Sequence, residues 1–380
     1  MAVAFDINAR GHRSWYARDM RFVIFGLTLS SSWGNGHATT WRGLLKNLHR
    51  AGHRATFFER DVDYYARARD LDDADCAKLV LYDDWSSVAG LARQALREAD
   101  VGVITSFCPD GLAAATLVLE QQRALKVFYD IDTPVTLAAL ARDGAAVAGG
   151  VRYLEPAIIP ELDLYLSFAG GPSLSELRQR WGARRAEALY CSVDPEVHGP
   201  VAPDENFRCS LGYLGTYSAD RQPAVERLLL RPAELCGSDK FWLVGSMYPP
   251  DVALPANVSH CDHLPPSRHA SFYCANRLTL NVTRQAMVES GYSPSVRLFE
   301  AASCGTPIVS DRWRGLEELF AIDEEILVAD SPAEVVSAVG RSDAELGRIA
   351  AAARARVLAS HTAAARANQL VAMCQAGFSG

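Results

Sequence analysis

The chain is expected to form an α/β protein of two facing Rossmann-like halves with a cleft between them, and three observations carry that expectation. Short apolar runs bounded by turn residues alternate with segments of helical period, the pattern of parallel strands joined by crossover helices. The alternation stops once, at a stretch near residue 200 rich in Pro, Gly and acids, and then resumes. The 380 residues, 49% of them hydrophobic, are enough to close two cores.

The first nineteen residues show no period and are taken as an N-terminal extension (1–19), with organised chain starting at Met20. Arg21 to Gly26 is a buried strand, and Ala55 to Phe58, Val101 to Thr105, Lys126 to Tyr129, Leu162 to Phe168 and Ala188 to Cys191 continue the first half, residues 20–195. Helices are expected at Thr40 to Ala51 and Ser86 to Glu98, while residues 60–85 and 135–160 carry no readable pattern. Residues 196–206 serve as the linker. The second half, residues 207–358, places strands at Leu211 to Leu214, Phe241 to Val244, Leu278 to Val282, Pro307 to Ser310 and Glu325 to Val328. Its helices are Pro223 to Leu230, Pro294 to Cys304, Leu316 to Phe320 and Pro332 to Val339. An Ala-rich helical tail from Ala344 to Cys374 breaks near His361, so residues 359–380 are expected to return to the first half.

Composition excludes several roles. A net charge of -7 and scattered cations offer no basic field for a polyanion, so nucleic acid is not an expected partner. No apolar run approaches the roughly 18–20 residues that span a bilayer, and residues 1–19 lack an apolar signal core; no integral membrane segment and a cytoplasmic location are expected. Nine cysteines without a Cys-x-x-Cys pair read as free thiols.

The sharpest local pattern runs from Ser293 to Pro307. Ser293 suits an N-cap, Pro294 the first helical position and Gly305 the left-handed C-terminal cap. The first turn, with Ser295, Val296 and Arg297, offers unpaired backbone N–H groups and the positive end of a helix dipole, which favour a phosphate. Glu300 projects from the same helix, where a carboxylate accepts hydrogen bonds from a ribose diol; a capped structural helix with a surface Glu is the plain alternative. Gly212 to Arg221 follows the first strand of the second half, and Gly215 lets backbone approach a ligand. Arg221, Arg284 and Arg297 are its candidate cations, each otherwise a solvated surface charge.

In the first half, Gly34, Asn35, Gly36 and His37 precede the helix at Thr40, with Glu59 ending the next strand. A dinucleotide fingerprint is rejected because Thr39 replaces the third small residue and the turn after Gly26 is too long. Asp130 and Asp132 follow a strand at its C-terminal end, where open α/β sheets bind ligands, and either is a candidate general base or a turn cap before Pro134. Asp110 sits in a comparable but weaker place. His260, Cys261, Asp262, His263, His269 and Cys274 match no zinc spacing, so no metal is expected there.

The run Gly291 to Pro307, followed by Ser310-Asp311 and Gly315-Leu316-Glu317, resembles the C-terminal domain of GT-B glycosyltransferases, specifically the CgeB-like group. Trp33-Gly34-Asn35-Gly36-His37-Ala38, Phe57-Phe58-Glu59-Arg60-Asp61 and Asp130-Ile131-Asp132-Thr133-Pro134 extend the resemblance over nearly all of the chain from Met20. It implies a GT-B fold and a hexosyltransferase that moves a sugar from a nucleoside diphosphate donor, UDP-sugar first and dTDP- or GDP-sugar next, to a hydroxyl on a small molecule, glycan or protein. It also implies no metal or other cofactor. Arg221 would pair with the leaving diphosphate, Glu300 would hold the ribose, and His263 and Leu264 would border the base. Gly34, Asn35 and Gly36 would line the cleft, where His37 would meet the donor sugar, the acceptor or the reacting hydroxyl. Related retaining enzymes carry a Glu-x7-Glu pair, but Tyr292 stands eight residues before Glu300, so only the second Glu carries over. A nucleotide-sugar epimerase and a non-catalytic sugar-nucleotide-binding or structural relative are the alternatives.

Overall fold

A computed structural model describes residues 19–33, 36–71, 74–148 and 150–378. The strands of the first half are β1 (Arg21–Gly26), β2 (Arg54–Arg60), β3 (Lys78–Tyr82), β4 (Val101–Thr105), β5 (Leu125–Asp130), β6 (Ala146–Ala148), β7 (Val151–Leu154), β8 (Leu164–Ser167) and β9 (Ala186–Ala188). Seven of them form one parallel sheet in the order β3-β2-β1-β4-β5-β8-β9, and β6 and β7 make a separate antiparallel pair. The second half contributes β10 (Leu211–Leu214), β11 (Phe241–Val244), β12 (Val258–Cys261), β13 (Thr279–Asn281), β14 (Ile308–Ser310) and β15 (Leu327–Val328), a parallel sheet ordered β12-β11-β10-β13-β14-β15. Both sheets therefore reverse direction beside their first strand, at β1/β4 and β10/β13, the switch points where open α/β sheets bind ligands.

Helices cover both faces of each sheet, which is why the central strands are nearly continuous apolar runs. β1 is buried at every residue after Arg21, and β4 and β8 are buried throughout. One core cluster on the first sheet centres on Phe25, Phe58, Phe128 and Tyr165, and another on Trp41, Phe57 and Tyr129. The last helix, Ala363–Phe378, belongs to the second of these through Ala367, Leu370 and Cys374. A Cβ on Gly43 would stand 3.0 Å from Ala363 Cβ, so these small residues let helix His37–Arg50 and the last helix approach closely.

The chain thus passes between the halves twice, side by side. Val193 N–H donates to the His361 carbonyl at 3.1 Å, and Ala363 N–H donates back to Val193 at 2.7 Å. Between the two crossings, Arg366 reaches His361 Nδ1 at 2.8 Å and the Tyr190 carbonyl at 3.1 Å. Residues 196–206 are docked rather than loose: Ser303 Oγ donates to the His198 carbonyl at 2.5 Å and Asp204 N–H to the Ser271 carbonyl at 3.2 Å.

Several sequence expectations need correction. Two sheet-edge strands, β3 and β12, and the β6–β7 pair had no strand assigned; the half-exposed Val-Ser-His-Cys of β12 lacks the apolar run that marks a central strand. The strand expected at Ala188 to Cys191 ends at Ala188, and Leu316 opens a single 3₁₀ turn rather than an α-helix. The segment from Gln222 to Leu235 is helical but widens to π geometry at Glu226–Leu230. The helix after Ser293 spans Val296–Cys304, with Ser295 as N-cap, so Pro294 precedes it. Gly291 and Tyr292 adopt positive φ and turn the chain, after which Ser293 Oγ faces Met287 Sδ at 3.2 Å instead of capping the helix.

Leu370 is 1% exposed within the first half's core. Leu370→Ala is expected to cost about 2–5 kcal/mol, read from the urea midpoint; an unchanged midpoint would detach the last helix from that core.

Candidate functional site

The carboxyl ends of the two sheets face each other across a cavity of about 210 Å³ lined from both halves. Gly36, His37, Thr40, Ile131, Asp132 and Phe168 form one wall, and Arg221, Arg284 and the segment Ser293–Arg297 form the other, with Cys191 at the crossing.

The loop after β1 is organised by Glu59, which is 1% exposed. Its carboxylate accepts from Leu29 N–H at 2.6 Å, Ser30 N–H at 2.9 Å, Thr28 Oγ1 at 2.8 Å and Ser30 Oγ at 2.6 Å. The protein's own loop occupies the acid that a dinucleotide ribose would take, in keeping with the rejected fingerprint. Downstream, Gly36 is the N-cap of helix His37–Arg50, and a Cβ there would meet no atom within 4 Å. His37 packs edge-on to Phe107 with ring centroids 5.3 Å apart, and burial holds its pKa down at about 3, so the ring is neutral near pH 7. Gly34 and Asn35 lie outside the described residues.

Asp130 and Asp132 separate into different tasks. Asp130 is fully buried, and its carboxylate accepts from Tyr165 Oη at 2.7 Å, Thr136 Oγ1 at 3.0 Å and the Asp132 N–H at 3.1 Å. Asp130 is enclosed and hydrogen-bonded beneath the cavity and is not among the residues that line it. Asp132 lines the cavity at the N-terminus of helix Thr133–Asp143 without capping it. Burial, with the Asp130 charge, pushes its pKa up to about 7 even though Arg284 and Arg221 act to lower it. Asp110 is engaged by Tyr82 Oη at 3.0 Å and Arg60 at 3.3 Å.

On the opposite wall, Arg297 sits at the β10/β13 switch point. Its Nε donates to the Leu214 carbonyl and its Nη1 to Asn281 Oδ1 at 3.0 Å, and its guanidinium lies 5.2 Å from the Tyr213 ring centroid. A Cβ on Gly215 would come 2.5 Å from Tyr213 Oη and 2.9 Å from Arg297 Nη2, so a larger residue there would have to displace both side chains. Arg221 Nη1 donates to Tyr213 Oη at 3.1 Å, while its buried Nε has no partner among the described residues. Arg284 pairs with Asp220 at 3.4 Å and stays partly exposed. Sequence reasoning gave no role to Asp311, which holds this loop by accepting from Thr283 N–H and Oγ1, each at 2.9 Å.

Ser293, Ser295 and Val296 reach the cavity wall. Glu300 lies off that wall, one turn further along the helix. Its carboxylate accepts from Tyr273 Oη at 3.3 Å and stands 3.6 Å from His198 Nε2. Leu264 is buried beside this group, its carbonyl 3.1 Å from His269 Nε2, whereas His263 is exposed and approaches Trp33 of the first half with ring centroids 6.3 Å apart. His198 was missed because nothing in the segment 196–206 announces that it folds against Glu300. Tyr292, in place of the first Glu of the paired motif, joins the two halves. Its carbonyl accepts from Gly170 N–H at 2.9 Å, and a Cβ on either Gly171 or Gly315 would come 2.4 Å from its ring.

Among solved structures, sucrose-phosphate synthase from Thermosynechococcus elongatus is 15% identical, covering 95% of this chain and 99% of that one with a TM-score of 0.65. An alpha-glucosyltransferase in complex with UDP-glucose and DNA containing an abasic site is 13% identical, covering 94% and 100% with a TM-score of 0.69. The chain has the GT-B fold. A putative UDP-N-acetylglucosamine 2-epimerase from Listeria monocytogenes shares that GT-B architecture at 11% identity, covering 95% and 97% with a TM-score of 0.58. Residues 221–372 match the family model described as glycosyl transferase-like. No curated protein matches the chain by sequence. Among the described residues of this GT-B chain, no helix is long and apolar enough to cross a membrane.

Asp132 yields a stability test. Its folded pKa of about 7 lies above the unfolded value, so the folded state binds more protons in between. Its stabilising contribution is full below about pH 4 and is lost as pH rises to about 7. Asp132→Asn is therefore expected to raise the melting temperature relative to the wild type at about pH 8 and to change it little at about pH 4, by thermal unfolding at both. An equal shift at both would remove the carboxylate from this role.

Proposed function

We propose that this chain is a glycosyltransferase of the CgeB-like group that transfers a hexose from a nucleoside diphosphate sugar, UDP-sugar first, to an acceptor hydroxyl. The observation that carries the reading is a carboxylate of raised pKa, Asp132, facing the guanidinium groups of Arg221 and Arg284 across the cavity. The glycosyl transferase-like match over residues 221–372 and the UDP-glucose in a fold neighbour support it.

In this reading the donor diphosphate lies at the first turn of helix Val296–Cys304, with Arg221 and Arg284 meeting the charge that develops as the sugar–phosphate bond breaks. Those fixed cations take the part that a metal ion on the diphosphate would otherwise play. The nucleoside runs along the helix from Val296 past Glu300, which takes the ribose, to the loop at His263 and Leu264. The acceptor hydroxyl attacks the anomeric carbon from the side of the first half; its proton passes to Asp132, and the diphosphate leaves with the bonding electrons. His37, neutral near pH 7, orients the acceptor.

Two measurements test the reading. Asp132→Asn is expected to lower kcat by about 10²–10⁴ and to abolish an acid limb with a midpoint near 7 in the wild-type pH–rate profile. Undiminished turnover would remove Asp132 as base, and a product of retained anomeric configuration would assign the proton to the donor phosphate. Arg221→Ala is expected to lower kcat/KM for both transfer and donor hydrolysis by at least about tenfold, the scale of one lost charge-assisted hydrogen bond. Because an epimerase shares the fold, product analysis with a labelled donor is decisive: label in an acceptor product supports transfer, and label only in an isomerised donor overturns it.

A further inference from the structure

Two cysteine thiols from separate elements meet at the C-terminal end of helix Val296–Cys304. Cys274 comes from helix His269–Ala275 and Cys304 closes helix Val296–Cys304, and the two helices pack against each other. Cys274 Sγ stands 3.7 Å from the Cys304 carbonyl, and the two thiols are hydrogen-bonding neighbours. The flanking residues hold this register, because Thr306 Oγ1 donates to the Tyr273 carbonyl at 2.7 Å. Nothing in the sequence pairs these two cysteines, which belong to no Cys-x-x-Cys motif.

The pair is asymmetric. Cys304 is 4% exposed, whereas Cys274 is half-buried beside the segment 199–201, so a reagent from solvent meets Cys274 first. The Cys304 thiol and, more weakly, the Val201 N–H at 3.5 Å direct hydrogen bonds at the Cys274 sulfur and hold its pKa below the ordinary thiol value against burial. Cys304 keeps its proton. An accessible sulfur of thiolate character beside an enclosed thiol is the arrangement of an attacking cysteine and the cysteine that resolves it. The turn after Cys304 also has room to adjust: a Cβ on Gly305 would meet only Arg354 Cδ, at 3.9 Å. The sulfurs can therefore close to the roughly 2.05 Å of a disulfide.

We propose that Cys274 and Cys304 are a reversible dithiol–disulfide couple that peroxide oxidises. The Cys274 thiolate attacks one peroxide oxygen; the S–O bond forms, the O–O bond breaks, and the departing hydroxide takes a proton from solvent and leaves as water. The Cys304 sulfur then attacks the Cys274 sulfenic sulfur. The S–S bond forms, the S–O bond breaks, and the leaving hydroxide takes the Cys304 proton as a second water. The two sulfurs give up two electrons, which the peroxide receives, and an external dithiol returns them by thiol–disulfide exchange. The bond ties the C-terminal end of helix Val296–Cys304 to helix His269–Ala275. Neither cysteine lines the cavity, so the couple stands whether or not the transfer reading holds.

The test uses the full chain, reduced with dithiothreitol, freed of it and treated with a small excess of hydrogen peroxide. Two of the nine free thiols are expected to disappear, with the intact mass falling by two hydrogens. A non-reduced tryptic digest should then contain peptides 269–277 and 298–312 joined to each other, each carrying one cysteine. Dithiothreitol should restore both thiols. In Cys304→Ala the oxidation should stop at the Cys274 sulfenic acid, where dimedone captures it. Cys274→Ser should leave Cys304 a free thiol under the same treatment, whereas Cys76→Ser, at a half-buried position elsewhere, should form the bond as the wild type does. Far-UV circular dichroism confirms the fold of each variant, with Cys304→Ser as the milder change if alanine prevents folding. A wild-type digest without the joined peptides overturns the proposal. So does a bond from Cys274 to another cysteine or to a second chain, or capture of Cys304 rather than Cys274 by dimedone.

Discussion

The cleft exists because the two sheets present their carboxyl ends to each other, and that depends on the paired crossings at Val193 and Thr362. The reciprocal hydrogen bonds between Val193 and residues His361 and Ala363 bind the outgoing and returning segments together. His361 also stacks on Phe299 at 4.6 Å with an interplanar angle of 12°, so the crossing is seated on the helix whose N-terminus lines the cavity. Two adjacent crossings restrict the swing of one half against the other more than a single linker does. Tyr292, packed against Gly171 and Gly315, adds a third point of contact near the cavity.

Electrostatics then divides the labour between the walls. The chain carries a net charge of -7, yet the wall from the second half gathers Arg221, Arg284 and Arg297 within one cavity. Arg297 is held by the Leu214 carbonyl, Asn281 and the face of Tyr213, which makes it a brace between β10, β13 and helix Val296–Cys304. Arg221, hydrogen-bonded to Tyr213, and Arg284, paired with Asp220, line the cavity beside it. On the facing wall, burial, with a smaller contribution from the Asp130 charge beneath it, pushes the pKa of Asp132 up to about 7. A carboxylate poised in this way costs stability when ionised, a cost the surrounding fold has to absorb.

Much of this was legible in sequence because it rests on local rules. The apolar runs at Arg21 to Gly26 and Val101 to Thr105 are strands since a sheet covered on both faces needs continuous hydrophobic segments. The helix end at Gly305, with φ of 78°, follows from glycine's tolerance of the left-handed region. What failed locally failed for tertiary reasons. Ser293 looks like a cap, but Gly291 and Tyr292 turn the chain toward Gly170 and carry Ser293 past the helix start. The edge strand β12 lacks an apolar run because only one neighbour and half of its surface are buried.

By itself the sequence determined two parallel α/β halves and the strand ends at which Asp132, Gly215 and Arg284 stand, because periodicity and turn chemistry act between residues close in the chain. Only the tertiary structure decided which of the two aspartates meets the cavity, since their different burial comes from Tyr165 and Thr136 on other elements. It alone brought His198 to Glu300 across 102 positions, a contact made by packing and invisible to any local pattern.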